Sequence, residues 1–358
     1  MRRSPDLFAE KKRHHTGCLV YPLLLLFVIG IAVALNMINN GRIQVKTQNV
    51  TVANLSDDFE RFRILHISDL HGNEFGANQN TIATMLKEYN YQAVCITGDV
   101  CSKSGDYTSF LKLIDLFVPK IPVYFITGDE DPLPIMTSAH GSDEVKAEYI
   151  IAAEAHGAIW LDRPQSITIG KSVLWFVPES ICGLDTVAAR ETYSARKNEL
   201  VSSADQYLPE QAAQLRAIDY HLSVLDETEE SLNNMKNGDI RIVLTHHPYT
   251  AETLRTLQQW GQGERDFFRG VSLVLAGHYN AGQVRLPWIG ALKAPSSAAM
   301  PHNGWLPEDS HLVGLSTVQG VTQYISPGLG VSDAYAIPLR LFNTPTVTIL
   351  ILTARMTF

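Results

Sequence analysis

Positive charge is in short supply: 29 lysines and arginines stand against 37 aspartates and glutamates in 358 residues, a formal net charge of −8. Gripping a nucleic-acid backbone by counterion release needs a basic face, so no nucleic-acid partner is expected. Cysteine is equally thin. The four present, Cys18, Cys95, Cys101 and Cys182, form no C-x-x-C pair, which argues against a zinc knuckle or a disulfide framework and leaves packed thiols. Internal repeats and low-complexity tracts are missing too. With 45% hydrophobic residues, the chain has the composition of a folded protein with one large core or two ordinary ones.

Charged residues are also missing from His14 to Gly41, a stretch centred on the apolar run Leu19 to Leu35. About 20 mostly apolar residues span a bilayer, so residues 17–40 are expected to form a transmembrane anchor. Arg2, Arg3, Lys11, Lys12 and Arg13 precede it, which predicts a cytoplasmic segment over 1–16 and a single-pass protein of the cell membrane with everything beyond outside the cytoplasm. A cleaved signal peptide ending near Ala32-Val33-Ala34 is the competing reading. Residues 41–60 read as a linker into one domain over 61–358.

Within that domain short apolar runs alternate with amphipathic stretches, which predicts an α/β fold. Phe62–Ile67, Ala93–Thr97 and Val123–Thr127 read as strands, with helices over Thr81–Tyr89 and Tyr107–Phe117 between them, and such crossovers demand right-handed parallel pairing. Ser166–Ile169 and Val173–Val177 flank the turn Gly170-Lys171 and read as a hairpin. Further strands are expected at Ile240–Thr245, Ser272–Ala276, Val321–Ile325 and Thr346–Leu352. A helical insertion is expected at about 185–238, where Leu215, Ile218, Leu222, Leu225 and Leu232 recur at helical spacing between Pro209 and Gly238.

Chemistry-bearing residues sit just after predicted strands: Ser68-Asp69-Leu70-His71-Gly72, Gly98-Asp99-Val100, Gly128-Asp129-Glu130-Asp131, Thr245-His246-His247-Pro248 and Gly277-His278-Tyr279-Asn280. One Asp or His after a strand is usually a cap or turn residue. Five such loops delivered to one sheet edge, where α/β sheets bind ligands, form a carboxylate–imidazole cluster that would repel itself without a divalent counter-charge. His247, next to His246, should point to the opposite face of its strand. His66, inside a strand, reads as a packed histidine.

The order of these motifs resembles the calcineurin-like metallophosphoesterase superfamily, with its D-x-H, G-D-x, G-N-H-[DE], single His and G-H-x-H blocks. Gly282-Gln283-Val284-Arg285-Leu286-Pro287 and Gly328-Leu329-Gly330 extend the resemblance to a membrane-associated bacterial phosphodiesterase branch. The resemblance implies a four-layer α/β/β/α sandwich and two divalent metal ions, whether Mn, Fe or Zn. Asp69 and His71 would hold the first, Asp99 would bridge both, and Asp129, His246 and His278 would hold the second. Asn280 stands where the family has another first-metal histidine and would be a weaker ligand. Glu130 replaces the family's catalytic histidine and joins Asp99 as a catalytic residue, able to give a proton only if burial raises its pKa. His302 is a candidate substrate contact, and Arg285 is expected to stabilise the fold or rim.

The implied reaction is hydrolysis of a phosphodiester, phosphomonoester or pyrophosphate by metal-bound water or hydroxide. Proximity to a bilayer would make the substrate a lipid-linked or cell-envelope phosphate ester. The other reading open to the altered motif is a phosphate-ligand-binding or sensor module that keeps the fold and turns over little.

Overall fold

The computed structural model describes residues 17–137, 144–203, 208–260, 270–295, 304–308, 312–332 and 340–354. Strands β1 (Gln44–Thr51), β2 (Arg63–Ile67), β3 (Ala93–Thr97), β4 (Val123–Ile126) and β5 (Ile159–Trp160) are joined by the last strand, β14 (Thr346–Thr353), in a sheet ordered β1-β14-β2-β3-β4-β5. From β2 to β5 the strands run parallel, whereas β14 lies antiparallel to β2. The second sheet contains β6 (Gln165–Ile169), β7 (Ser172–Pro178), β8 (Ile240–Leu244), β9 (Val271–Ala276), β12 (Gly314–Val318) and β13 (Val321–Ile325), ordered β12-β13-β9-β8-β7-β6. A small ribbon, β10 (Arg285–Leu286) with β11 (Gly290–Ala291), follows β9.

Two-residue alternation along the strands decides the layering. In β2, Leu65 and Ile67 pack with Ile82 and Leu86 of α2 (Asn80–Leu86), Phe110 of α3 (Thr108–Ile114) and Ile150 of α4 (Glu148–Ala155). Ile64, on the other face, joins Leu174, Phe176, Ile242 and Leu273 of the second sheet. Strand β3 is buried at every position, as a strand covered on both faces must be. The outer face of the second sheet is covered at one side by α7 (Ala251–Trp260) through Leu254 against Val243 and Val274. At the other, Leu232 of a long helix packs on Trp175 and Val177.

That helix, α6 (Pro209–Asn234), and its neighbour α5 (Thr186–Ser202) fill the stretch expected to be a helical insertion. Pro209 occupies the first turn of α6, where its missing N–H costs nothing. Asp185 caps α5 by accepting from Val187 N and Ala188 N, each at 3.0 Å. Strand β1 lies inside the stretch expected to be a linker. Its sequence is polar and its burial irregular, with Val50 its one buried residue, so it carries no strand-like alternation.

The transmembrane anchor is not supported, and with it go the single-pass membrane placement and the outside location of the domain. Residues Gly17–Asn40 do form a helix, α1, but among the described residues no helix is long and apolar enough to cross a membrane. The end of α1 belongs to the domain: Asn36 is buried, donates to Arg340 O at 2.6 Å and accepts from Phe342 N at 2.8 Å. What remains, Leu19 to Leu35, spans roughly 25 Å at helical rise against about 30 Å of hydrocarbon.

His66 faces the second sheet, edge-on to Tyr324 at 5.8 Å, with Nε2 2.9 Å from Thr97 Oγ1. Burial pushes its pKa from 6.5 down to about 3. Below 6.5 the unfolded chain binds a proton that the folded protein refuses, so this residue's contribution is intact above that pH and is lost as pH falls towards 3. Chemical unfolding between pH 8 and 4 should show wild type losing up to about 1.4 kcal/mol per pH unit more than His66→Gln below 6.5. Parallel curves would mean that His66 is charged in the folded protein.

Candidate metal centre

The C-terminal ends of β2, β3 and β4 in one sheet and of β8 and β9 in the other meet at a common edge. His246, following β8, ties them together by pointing Nδ1 at Thr97 O of β3, 2.8 Å away, while Gly277 N donates to His246 O at 3.0 Å. Two clusters form there, Asp69–His71–Asp99 and Asp129–His246–His278, each with its ligand atoms within 4.8 Å of one another. Asp99 stands between them, its Oδ2 3.8 Å from His71 Nε2 and 3.2 Å from His246 Nε2. Asp129 Oδ1 is 2.7 Å from His246 Nε2 and 3.3 Å from His278 Nδ1.

Several of these residues occupy the left-handed region, with φ of 54° at Asp69, 47° at His71, 53° at Asp99 and 73° at His278. Such backbone is costly for residues other than glycine and persists where the surroundings over-determine it. Two glycines make the close approach possible. A Cβ at Gly128 would fall on Asp99 Oδ1, and one at Gly277 on Ser68 Oγ.

The donor set fits divalent cations. Because His246 Nδ1 donates to a carbonyl, Nε2 is the nitrogen turned to the site. That buried Nε2 faces the Asp129 and Asp99 carboxylates at 2.7 and 3.2 Å, so a proton or a cation must stand between the nitrogen and the oxygens. A cation satisfies all three, and a ligating imidazole anchored through its other nitrogen to a carbonyl is the usual arrangement. Charge balance agrees. Burial, reinforced by neighbouring Asp99, raises the pKa of Asp69. Burial opposes charging His246, but Asp129 and Asp99 overcome it and push its pKa up. His71 is likewise raised against burial, by Glu130, Asp69 and Asp99. Protons thus neutralise the cluster, which is the demand a divalent ion meets.

Glu130 departs from the expected proton donor. Its Oε2 lies 3.1 Å from His71 Nδ1 and its Oε1 accepts from Ser332 Oγ at 2.5 Å. The hydrogen bond from His71 holds its pKa below the ordinary carboxylate value, so it stays ionised and aims His71 Nε2 at Asp69 and Asp99. Removing such an orienting carboxylate costs about 10- to 100-fold in metal affinity. Glu130→Gln should weaken metal binding by that factor in a titration of the apo protein, whereas a proton-donor role would leave affinity unchanged and lower turnover alone.

Asn280 is brought to the first cluster but presents the wrong end. Its Nδ2 lies 3.2 Å from His71 Nε2 and 3.4 Å from Asp69 Oδ1, while its Oδ1 faces Arg340 Nη1 at 3.4 Å. Arginine can only donate, which fixes the amide orientation. Asp131 holds loops, accepting from Val100 N, Cys101 N and Gly128 N, all at 2.8 Å. His247 is half exposed, with Nε2 3.8 Å from Asp129 Oδ1 and its ring 4.0 Å from that of His278. Arg285 donates to Ala281 O at 2.9 Å, away from the clusters. His302 lies outside the described residues. Sequence reasoning missed Glu179 and Arg340. Glu179 accepts from Thr245 Oγ1 at 2.6 Å beside His246, and burial raises its pKa.

The family model of the calcineurin-like phosphoesterases matches residues 62–280. No curated protein matches the sequence. Among solved structures, the chain is similar to phosphopantetheinyl hydrolase from Mycobacterium tuberculosis, at 12% identity over 75% of this chain and 91% of that one, with a TM-score of 0.36. Purple acid phosphatase PPD1 from yellow lupin (Lupinus luteus) shares 12% identity over 84% of this chain and 55% of its own, with a TM-score of 0.35. NAD nucleotidase from Haemophilus influenzae shares 11% over 76% and 46%, with a TM-score of 0.29. The family match covers more than half of the 358 residues and takes in all five strand-end loops around the two clusters, and the chain belongs to the calcineurin-like phosphoesterase family.

Proposed function

We propose that the chain hydrolyses phosphate esters with two divalent cations, one held by Asp69, His71 and Asp99 and the other by Asp99, Asp129, His246 and His278. The observation that carries this is the Asp99 carboxylate facing an imidazole of each cluster at once. Bound cations would clamp the ester oxygens, activate water and screen the charge of an in-line displacement. The protein's own part is to hold that geometry. Glu130 orients His71, Thr97 O orients His246, and His278 N donates to Asp69 Oδ1 at 3.0 Å.

His247 takes the place of the family's catalytic histidine as the imidazole at the mouth of the site. Burial, with His278 and His246 nearby, lowers its pKa to about 4, so it meets substrate as a neutral hydrogen-bonding group. Kinship to the bacterial phosphodiesterase branch is part of this reading. Gln283 of the G-Q-V-R-L-P segment is buried and braces Ser332 N at 2.9 Å, and Ser332 in turn holds Glu130.

With no spanning helix among the described residues, proximity to a bilayer no longer argues for a lipid-linked ester. The purified chain, stripped with chelator and titrated with Mn, Fe or Zn, should gain turnover of bis(p-nitrophenyl) phosphate as two equivalents bind. Metal uptake without turnover under every ion would replace this reading with the phosphate-binding sensor.

A further inference from the structure

A cavity of about 490 Å³ opens from Asp129 and His246 and runs beneath the helical insertion. Its volume lies in the range of small-molecule sites. Because it shares Asp129 and His246 with the second cluster, a group lodged in it would be joined to a phosphate held at the cations. Its wall is built of flat rings. Trp160 and Tyr220 lie parallel with centroids 6.4 Å apart and 6° between planes, and Tyr193 and His221 stack at 4.9 Å and 9°. Tyr220 is pinned through its hydroxyl by Asp162 and, at 3.4 Å, by Arg163 Nη2, so this wall is set before anything binds.

Charge and polarity narrow the occupant. The cations nearest these rings, Lys146 at 5.6 Å from Trp160 and Tyr220 and Arg163 at 6.0 Å from Tyr220, are paired with Glu154 and Asp162, while Asp129 and Glu179 line the cavity, which disfavours a second phosphate. Thr228 also lines it, fully buried, and its hydroxyl has no hydrogen-bond partner. Buried hydroxyls are seldom left in that state. An acyl chain would leave it unanswered, whereas a ring with a heteroatom at its edge would satisfy it. His221, kept neutral by burial, is a second polar edge among the rings.

We propose that this cavity receives a flat, uncharged heteroaromatic group of the phosphate ester, stacked among Trp160, Tyr193, Tyr220 and His221 and hydrogen-bonded to Thr228. The assignment rests on the phosphoesterase reading, because the cations fix the other end of the same substrate.

The test is calorimetric and does not depend on turnover. The full chain with Mn is titrated with the methylphosphonate monoesters of quinolinylmethanol, naphthylmethanol and octanol, and with free quinolinylmethanol. Stacking should make the naphthyl ester bind roughly threefold to tenfold tighter than the octyl ester. The quinolinyl ester should gain about fivefold more, and Thr228→Val, which removes a partnerless buried hydroxyl and should not unfold the protein, should erase that gain. Val224→Trp, which fills the cavity from α6, should remove the aromatic preference. Octyl binding as tight as naphthyl, or a quinolinyl preference that survives both substitutions, would overturn the proposal. If free quinolinylmethanol binds and is blocked by Val224→Trp while the phosphonates gain nothing from Mn, the ring site stands and the phosphoesterase reading falls.

Discussion

Asp99→Ala should leave the protein folded, strip it of tightly bound metal at both positions and lower kcat/KM on a diester by on the order of 10³-fold, roughly 4 kcal/mol of transition-state stabilisation. The size follows from its position. Asp99 faces an imidazole of each cluster, with Oδ2 3.8 Å from His71 and 3.2 Å from His246 and Oδ1 accepting from Glu130 N at 2.9 Å. Burial works against its ionisation, and the hydrogen bond and charge of His246, aided by His71, more than offset that and keep its pKa low. Alanine removes the shared ligand and leaves two imidazoles without the anion between them. Metal content by mass spectrometry, read beside turnover, separates the possibilities. Loss of one equivalent only would show that Asp99 serves a single ion, and full metal content with full activity would remove the two-cation model.

Much of the cluster was legible because most of its residues come within three positions of the end of an apolar strand. Asp69, Asp99, Asp129, His246 and His278 all follow strands whose parallel pairing delivers them to one edge. Other features have no such local signal. The polar edge strand β1 gains its definition by pairing with β14, which lies at the far end of the chain. The part played by Glu130 depends on which nitrogen of His71 it meets. Asn280 reads as a weakened ligand in sequence, while its amide in the structure turns nitrogen towards the first cluster. That orientation comes from a residue 60 positions away, Arg340. The apolar N-terminal run misleads in the opposite direction, because hydropathy does not reveal that Asn36 ties the end of α1 into the domain.

Arg340 is also where the largest loss of stability is expected. It is buried, at 1% exposure, and its guanidinium donates to Asn343 O at 2.7 Å, Gly330 O at 2.8 Å and Pro327 O at 2.6 Å. The Pro327 and Gly330 carbonyls belong to the loop that backs the first cluster, for Gly330 N donates to Asp69 O at 2.6 Å and Leu329 N to Ser68 O at 3.1 Å. Arg340→Met keeps the apolar stem and strands all three carbonyls away from water, each costing about 1–3 kcal/mol but not additively. We expect about 3–5 kcal/mol of destabilisation, a fall in Tm on the order of 10 °C. Arg340→Lys should recover part of this, since an ammonium has three donors but lacks the planar fork. Because the same guanidinium fixes the loop whose Gly330 N holds Asp69 O, Arg340→Met should also loosen metal binding at the first cluster and spare the second. A change in Tm without a change in metal affinity would confine Arg340 to the loop; a change in neither would mean that water or neighbouring groups satisfy the carbonyls and that the guanidinium is not what holds Gly330 against Asp69.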